Sequence, residues 1–216
     1  MGILFAAEQT SRVADIAGLL IYGAQAAVAL WGAFCLILVW MRVTRQRFAS
    51  EAIQNEFLGK VDEALAARDF DAVVQHSQDD ARTLSQLVYL AIRNRHLGYS
   101  RARQLTIDHF QRDVLADIEY RLSWVTTVIK TAPMLGLLGT VVGMMAAFGK
   151  IAADDSVGAN ALAKDISLAL ITTVVGLSIA IPLMLAINSV RARVRKMEDS
   201  VETGLARFLE MLRGAL

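Results

Sequence analysis

Three long apolar stretches interrupt a sequence that is otherwise rich in charged residues. Residues 16–40 carry Tyr22 and Gln25 as their notable polar side chains, and residues 124–149 and 165–188 are similarly apolar. Each stretch is long enough for the roughly 20 helical residues that cross the hydrocarbon core of a bilayer. The pattern therefore predicts an all-α membrane protein with three transmembrane helices and long cytoplasmic helical extensions.

Basic residues follow the first and third apolar stretches at once. Arg42, Arg45 and Arg47 come after the first stretch, and the segment from Arg191 to Lys196 comes after the third. By the positive-inside bias, both of these flanks face the cytoplasm. The sequence thus predicts a multi-pass protein of the bacterial inner membrane, with its N-terminus outside and its C-terminus in the cytoplasm. The N-terminus lacks the basic residues of a cleaved signal, so we expect the first span to be retained.

The regions between and after the spans have apolar residues at helical spacing. Asp69 is a candidate N-cap of a short helix, Asp80 is expected to begin another, and Gly98 is a candidate C-cap. From Arg101 an unbroken pattern predicts one helix that continues into the second span. The tail carries a coiled-coil-like apolar stripe formed by Val190, Val194, Met197, Val201, Leu205, Phe208 and Leu212.

These patterns divide the chain into seven segments. Three of them are the spans, and the others lie outside the hydrocarbon core. The predicted order is an N-terminal interfacial segment outside (1–15), transmembrane helix 1 (16–40), a cytoplasmic helical domain (41–123), transmembrane helix 2 (124–149), a short outside loop (150–164), transmembrane helix 3 (165–188) and a cytoplasmic helical tail (189–216).

Charge and composition exclude several classes of function. Charged residues make up 20% of the chain, but they show no basic stripe with interleaved aromatic residues, so we expect no nucleic-acid partner. Cys35 is the only cysteine and the histidines are scattered, which predicts neither a disulfide framework nor a metal site. We find no nucleophile–base pair and no phosphate-binding glycine loop. The sequence therefore predicts a protein that is not an enzyme and needs no cofactor.

The second span is unusual for a simple membrane anchor. Gly139 and Gly143 form a small-xxx-small pair, which allows another helix to approach closely, and Pro133 weakens the helical hydrogen bonding near the start of the span. Ordinary packing of a helix bundle accounts for such glycines as well. The residues of the second and third spans that we assign to pore lining or to helix packing are Pro133, Gly136, Gly139, Gly143, Ala169, Gly176 and Pro182.

Hydroxyl groups are the main polar groups deep within these two spans. Thr140 and Thr173 each lie near the middle of a span, on faces that could line one pore. Such hydroxyls can hold water or assist a cation without the cost of a buried charge, or they can join one helix to the next. Spacing alone favours neither role. We interpret Asp165, at the outer end of the third span, as an entrance charge or, in preference, a helix N-terminal cap.

Two stretches resemble signature motifs of the ExbB/TolQ/MotA proton-channel family, closest to its ExbB/TolQ branch. One is Thr131-Ala-Pro-Met-Leu-Gly-Leu-Leu-Gly-Thr140-Val-Val-Gly143-Met, and the other is Leu168-Ala-Leu-Ile-Thr-Thr173-Val-Val-Gly-Leu-Ser-Ile-Ala-Ile-Pro182. The resemblance implies a homopentamer whose second and third spans surround a pore. It also implies two copies of an ExbD/TolR-like single-span partner in that pore, each with one proton-carrying aspartate. Thr140 and Thr173 match the two pore threonines of the family.

One position departs from the family pattern. Relatives resembling ExbB often carry a glutamate five residues before the third-span threonine, and this chain has Leu168 there. A channel built from this chain would therefore take its titrating carboxylate from the partner. The resemblance implies a stator subunit of an ion-driven motor that energises an envelope or transport process. A non-conducting structural oligomer and an ion channel without a moving partner are the alternatives.

Overall fold

The computed structural model describes residues 2–153 and 159–215, and every element in these ranges is helical. Three of the described helices are long and apolar enough to cross a membrane. They span Gly18–Gln46, Tyr99–Ala152 and Leu162–Ala215. The prediction of an all-α membrane protein with three transmembrane helices is confirmed. Asp155 and its neighbours in the predicted outside loop lie outside the described residues.

The described elements follow one another with short connections. In chain order they are α1 (Gly2–Gln46), α2 (Glu51–Ala66), α3 (Phe70–Gln78), α4 (Thr83–Arg93), a 3-10 turn (Arg95–Leu97), α5 (Tyr99–His109), a π-helical segment (Phe110–Leu115), α6 (Ala116–Ala153) and α7 (Ala159–Ala215).

The chain divides into two compact units. The membrane unit comprises Met1–Leu36 and Ser123–Asn188, and the second unit comprises Ile37–Leu122 and Ser189–Leu216. The predicted helix from Arg101 into the second span is confirmed, because α5, the π-helical segment and α6 form one uninterrupted helical path. π-Helical turns within α-helices are rare, and many of them lie at functional sites.

The membrane unit has apolar side chains on both its inner and outer surfaces. Leu19, Leu30 and Met145 are among the most exposed, at 76%, 73% and 69% of their surface. Such exposure is unfavourable in water and favourable against lipid tails or other apolar helices. Inside the unit the helices approach closely, because a Cβ added to Gly32 of α1 would lie 2.6 Å from Cγ1 of Val128 in α6.

The second unit has a conventional hydrophobic core. Its largest fully buried side chains include Leu58 of α2, Leu84 of α4 and Phe208 of α7. The tail of α7 contacts α2, since Nε2 of Gln54 donates to the backbone oxygen of Ser200 over 2.8 Å. All seven residues of the tail stripe are buried, which confirms the helical periodicity predicted for the tail.

Two of the helix boundaries in the second unit depend on polar caps. Asp69 caps α3 as predicted, with Oδ1 accepting from the backbone N–H of Ala72 over 3.0 Å. Asp80 was expected to begin the next helix, which is wrong, because α4 begins at Thr83. The Asp80 carboxylate instead accepts from Oγ of Ser85 over 2.8 Å and from the N–H of Arg82 over 3.1 Å. It therefore stabilises the start of α4 from outside the helix.

Gly98 ends a 3-10 turn rather than an α-helix. The helix α4 ends at Arg93, and the backbone then makes the 3-10 turn that Gly98 closes with a φ of +83°. Glycine populates positive φ at little cost because it has no Cβ. Gly98 is a C-cap, as predicted, but it caps the 3-10 turn and not an α-helix.

Candidate functional site

Four glycines place α6 and α7 in direct backbone contact within the membrane unit. A Cβ added to Gly143 would lie 2.6 Å from Cβ of Ala169, and one added to Gly136 would lie 2.7 Å from the backbone oxygen of Thr172. A Cβ on Gly176 of α7 would lie 2.5 Å from the backbone oxygen of Ala132, beside Pro133. Each distance is shorter than real Cβ contacts allow, so any larger residue would separate the helices.

Gly139 completes this contact and exposes α6 to a polar side chain of α7. A Cβ added there would lie 2.5 Å from Oγ1 of Thr172. The structure therefore brings together Pro133, Gly136, Gly139, Gly143, Ala169 and Gly176 at the α6–α7 contact. Pro182 lies apart from them, exposed on a later turn of α7.

Thr140 and Thr173 meet across the α6–α7 contact. Their Oγ1 atoms are hydrogen-bonded to each other, and both side chains are half-buried. Oγ1 of Thr140 also lies 3.2 Å from the backbone oxygens of Gly136 and Ala169. Oγ1 of Thr173 lies 3.1 Å from the backbone oxygen of Gly136. The two predicted site residues thus form one hydrogen-bonded pair, which we call the threonine pair.

Thr172 is a third hydroxyl that lies beside the threonine pair. Its Oγ1 lies 2.7 Å from the backbone oxygen of Ala169 and 2.9 Å from that of Gly136. A threonine hydroxyl has one proton, yet each of the three hydroxyls lies near more than one acceptor. The hydroxyl protons can therefore be redistributed among these acceptors while the helices stay in place. Both residues of the threonine pair are half-buried, so part of each residue remains at the surface of the protomer.

Gln25 of α1 is a site residue that the sequence analysis did not assign. Its side chain is 1% exposed, and Nε2 donates to the backbone oxygen of Thr172 over 2.8 Å. The available signal was its residue type, because Gln25 is the only side-chain amide in residues 16–40. A polar group inside a membrane span is by default a candidate for a specific contact.

The cap assigned to Asp165 is wrong. The helix α7 begins at Ala159, so Asp165 lies inside the helix, well past its first turn. Its Oδ2 accepts instead from Nζ of Lys150, at the end of α6, over 2.6 Å. The ion pair joins α6 and α7 near the ends of the two predicted spans. Because Lys150 is 47% exposed and Asp165 is 26% exposed, solvent screening leaves the pair only a small contribution to stability.

A cavity of about 370 Å³ lies among α1, α6 and α7 in the membrane unit. Tyr22, Thr172 and the Lys150–Asp165 pair contribute its polar lining, and most of the rest is apolar. Leu168 also lines it and is 49% exposed, with its backbone oxygen accepting from the Tyr22 hydroxyl over 3.5 Å. Leu168 therefore lies on the surface of the membrane unit, and the hydrogen bonds described for the threonine pair go to Gly136 and Ala169 instead.

Neither α6 nor α7 carries a charged residue in the turns around the threonine pair. Residues 131–149 of α6 and 166–190 of α7 contain no Asp, Glu, Lys, Arg or His. In the part of the chain that the structure describes, no group of three His, Cys, Asp or Glu side chains could hold a metal ion. The side chains of the site can therefore donate and accept hydrogen bonds, but residues 131–149 and 166–190 contribute no ionisable group to it.

Comparison with known proteins agrees with this chemistry. Residues 83–203, more than half of the chain, match the MotA/TolQ/ExbB proton channel family. The matched range includes the threonine pair, Thr172 and the four glycines of the α6–α7 contact. It does not include Gln25.

Individual relatives are similar over different lengths. The chain is 26% identical over 179 residues to a putative biopolymer transport protein ExbB homolog of Methanothermobacter thermautotrophicus, covering 81% of this chain and 62% of the relative. It is 33% identical over 98 residues to the Tol-Pal system protein TolQ of Haemophilus influenzae, covering 45% and 43%. It is 36% identical over 96 residues to the biopolymer transport protein ExbB of Xanthomonas campestris, covering 43% and 38%. The matches span less than two thirds of each relative.

Proposed function

The chain belongs to the MotA/TolQ/ExbB proton channel family, and we propose that it is the ring-forming channel subunit of an ion-driven motor. In this proposal the ring lies in a bacterial inner membrane and surrounds an ExbD/TolR-like single-span partner. Ion flow through the ring moves the partner and energises an envelope or transport process. Relatives named for biopolymer transport and for the Tol-Pal system support this class of process.

The observation that carries the proposal is the threonine pair. Thr140 and Thr173 are hydrogen-bonded to each other at a glycine-lined helix contact, and both are half-buried rather than sealed. Their oxygens can accept a hydrogen bond from a group outside the protomer without any charge being buried in this chain. A face of this kind suits a pore wall that receives a proton carrier.

The absence of charged residues along the two stretches proposed to face the pore supports a proton carrier on the partner. Since residues 131–149 and 166–190 have no ionisable side chain, the titrating carboxylate belongs to the partner in this proposal. When that carboxyl group is protonated, its O–H donates to the threonine pair, and the neutral acid can enter a low-dielectric region. When it is ionised it must face water or a cation. Alternation between these two states couples proton transfer to movement.

Exposed apolar surface supports assembly into a ring. The outward side chains of α6 and α7 include Leu137, Met145, Val174 and Leu185, each at least 60% exposed. In a bilayer such surfaces face lipid or a second copy of the chain. We propose a homopentamer with two partner copies inside it, a stoichiometry that the family resemblance implies.

A non-conducting structural oligomer is the second candidate. It is favoured by the observation that all three hydroxyls have acceptors within the chain itself. In that case Thr140 and Thr173 join α6 to α7 and take no part in ion flow. The two functions differ in what happens when the hydroxyls are removed and the shape is kept.

Valine substitutions test the proposal because valine keeps the shape of threonine without the hydroxyl. We expect Thr140→Val and Thr173→Val to assemble with the partner and to reduce proton or sodium flux at least about tenfold. The measurement is ion flux in vesicles that contain the chain and its single-span partner, alongside a pull-down of the partner. A partner with its membrane aspartate changed to asparagine should carry no flux.

Thr127→Val is the matched control. Thr127 is exposed on α6, and its hydroxyl donates to the backbone oxygen of Ser123 over 3.0 Å. That hydroxyl serves its own helix, so flux should remain at the level of the unmodified chain. Full flux in both Thr140→Val and Thr173→Val would contradict the channel proposal and favour the structural oligomer.

A further inference from the structure

Gln25 links the first transmembrane helix to the turn of α7 that carries the threonine pair. Its side chain is almost fully buried, at 1% exposure, and Nε2 donates to the backbone oxygen of Thr172 over 2.8 Å. Thr172 precedes Thr173 directly, so this hydrogen bond acts on the same helical turn. A well-formed hydrogen bond between two helices fixes both their relative height and their rotation at that point.

The rotation of α7 matters because its hydroxyls reach one acceptor on α6. Oγ1 of Thr172 and Oγ1 of Thr173 both lie within 3.1 Å of the backbone oxygen of Gly136. Gln25 binds the same turn of α7 from α1, at the carbonyl oxygen of Thr172. The three transmembrane helices therefore meet in one hydrogen-bonded junction formed by Gln25, Gly136, Thr172 and Thr173.

The second polar atom of the Gln25 side chain indicates that packing alone does not explain this residue. Oε1 of Gln25 is buried and has no hydrogen-bond partner among the described residues. Buried polar atoms without partners are unfavourable, and an apolar side chain of similar size would avoid the cost. Leucine or methionine would fill the same space. The amide is therefore best explained by the donation from Nε2 to Thr172.

We propose that Gln25 is a positioning residue for the threonine pair, and that α1 thereby takes part in ion conduction. The inference rests on the proposed channel function. Gln25 acts through the Thr172 carbonyl and does not itself touch the ion or the partner. Without the donated hydrogen bond, α7 can rotate or shift at this turn, and Thr173 then leaves the position in which it meets Thr140.

Two substitutions at this position test the inference. Gln25→Leu keeps the volume and removes the donor, so we expect ion flux to fall at least about tenfold while assembly with the partner is retained. Gln25→Glu restores a donor only as a neutral acid, whose O–H can reach the Thr172 oxygen. Buried carboxyl groups favour their neutral form, so this variant should conduct near the level of the unmodified chain at acidic pH and lose flux at alkaline pH.

Tyr22→Phe is the matched control. Tyr22 lies one turn before Gln25, and its hydroxyl also donates to the α7 backbone, but over 3.5 Å and from a 37% exposed side chain. Removing that hydroxyl should leave flux unchanged. Each flux is expressed relative to the unmodified chain at the same pH. Tyr22, Lys150 and Asp165, the titratable groups lining the neighbouring cavity, are the same in both Gln25 variants.

The outcomes separate this inference from the proposed function. Normal flux in Gln25→Leu, with Thr173→Val impaired, would overturn the positioning role and leave the channel proposal standing. If Gln25→Leu fails to assemble, Gln25→Glu decides, and the same relative flux at all pH values would also overturn the role. Absence of flux from the unmodified chain with its partner would contradict the channel proposal itself, and the positioning role with it.

Discussion

At the scale of single residues, the proposed mechanism depends on two hydroxyl groups. Thr140 and Thr173 can each accept or donate a hydrogen bond, and neither ionises at neutral pH. Burying a hydroxyl with a partner costs far less than burying a charge. The threonine pair can therefore stay between two transmembrane helices permanently, whereas in the proposed function the carboxyl group of the partner alternates between polar and apolar surroundings.

A substitution at Leu168 can test whether its surface of α7 is hydrated. It is 49% exposed and lines the cavity that also contains the Lys150–Asp165 ion pair. We predict that Leu168→Glu, which introduces the glutamate that the family resemblance implies at this position, is tolerated, because the new carboxyl group reaches a hydrated surface. The measurement is the amount of membrane-inserted protein together with ion flux.

Val174→Glu is the comparison for that prediction. Val174 is 61% exposed on α7 and does not line the cavity. Whether Val174 faces lipid or a second copy of the chain, its surroundings are apolar, and a charged residue at mid-span costs about 3 kcal/mol on insertion scales, so Val174→Glu should accumulate poorly in the membrane. If Leu168→Glu accumulates as poorly as Val174→Glu, then Leu168 faces lipid and the cavity is not hydrated.

At the scale of helices, the α6–α7 contact depends on residues without side chains. Gly136, Gly139 and Gly143 face α7, and Gly176 faces α6. Lipid tails are as apolar as the helix surfaces, so close van der Waals packing and interhelical hydrogen bonds must hold such helices together. The glycines permit both, because the hydroxyls reach carbonyl oxygens on the opposite helix only at this short separation.

Gly143→Leu should disrupt this contact. A Cβ at this position would lie 2.6 Å from Cβ of Ala169 and 3.3 Å from its Cα, so the α7 backbone would have to move. Overpacking of this kind typically costs about 2 kcal/mol, and here it would also separate the threonine pair. We expect loss of the assembled complex or of partner binding, measured by size-exclusion chromatography and pull-down.

Gly149→Leu makes the same change where there is room. A Cβ on Gly149 has no neighbour within 4 Å, so this variant should assemble and conduct normally. Normal assembly of both variants would show that the α6–α7 contact can open without loss of function, which would contradict the role assigned to the glycines.

For the whole molecule, the charge distribution predicts how the chain lies across the membrane. Basic residues follow both the first and the third span, so the same side of the membrane should hold residues 41–123 and the tail. Cys35 is the only cysteine, so a Cys35→Ala background is free of thiols. Single cysteines can therefore report the topology.

We predict that cysteines replacing Glu51 and Glu198 are shielded from an impermeant thiol reagent in intact cells. A cysteine replacing Asp155 should be labelled under the same conditions. Permeabilised cells supply the control, because all three positions should then react. Labelling of the Glu51→Cys variant from outside would reverse the proposed orientation.

Local sequence patterns determined the elements of this protein. Mean hydropathy over about 20 residues depends only on neighbours in the chain, so three spans were predictable before any contact was known. The Asp69 cap and the buried stripe from Val190 to Leu212 are equally local. The motif around Thr140 and Thr173 also identified the family. The predictions at Asp80 and Gly98 were wrong in detail, because several local backbone arrangements can begin or end a helix at such residues.

Only the tertiary structure decided which polar groups meet. The hydrogen bond from Gln25 to Thr172 and the ion pair of Lys150 with Asp165 join residues of different helices. Such contacts depend on the rotation and height of each helix, which periodicity does not specify when apolar residues surround the helix. The threonine pair depends on the same geometry, since its hydroxyls meet only because the glycines let α6 and α7 approach.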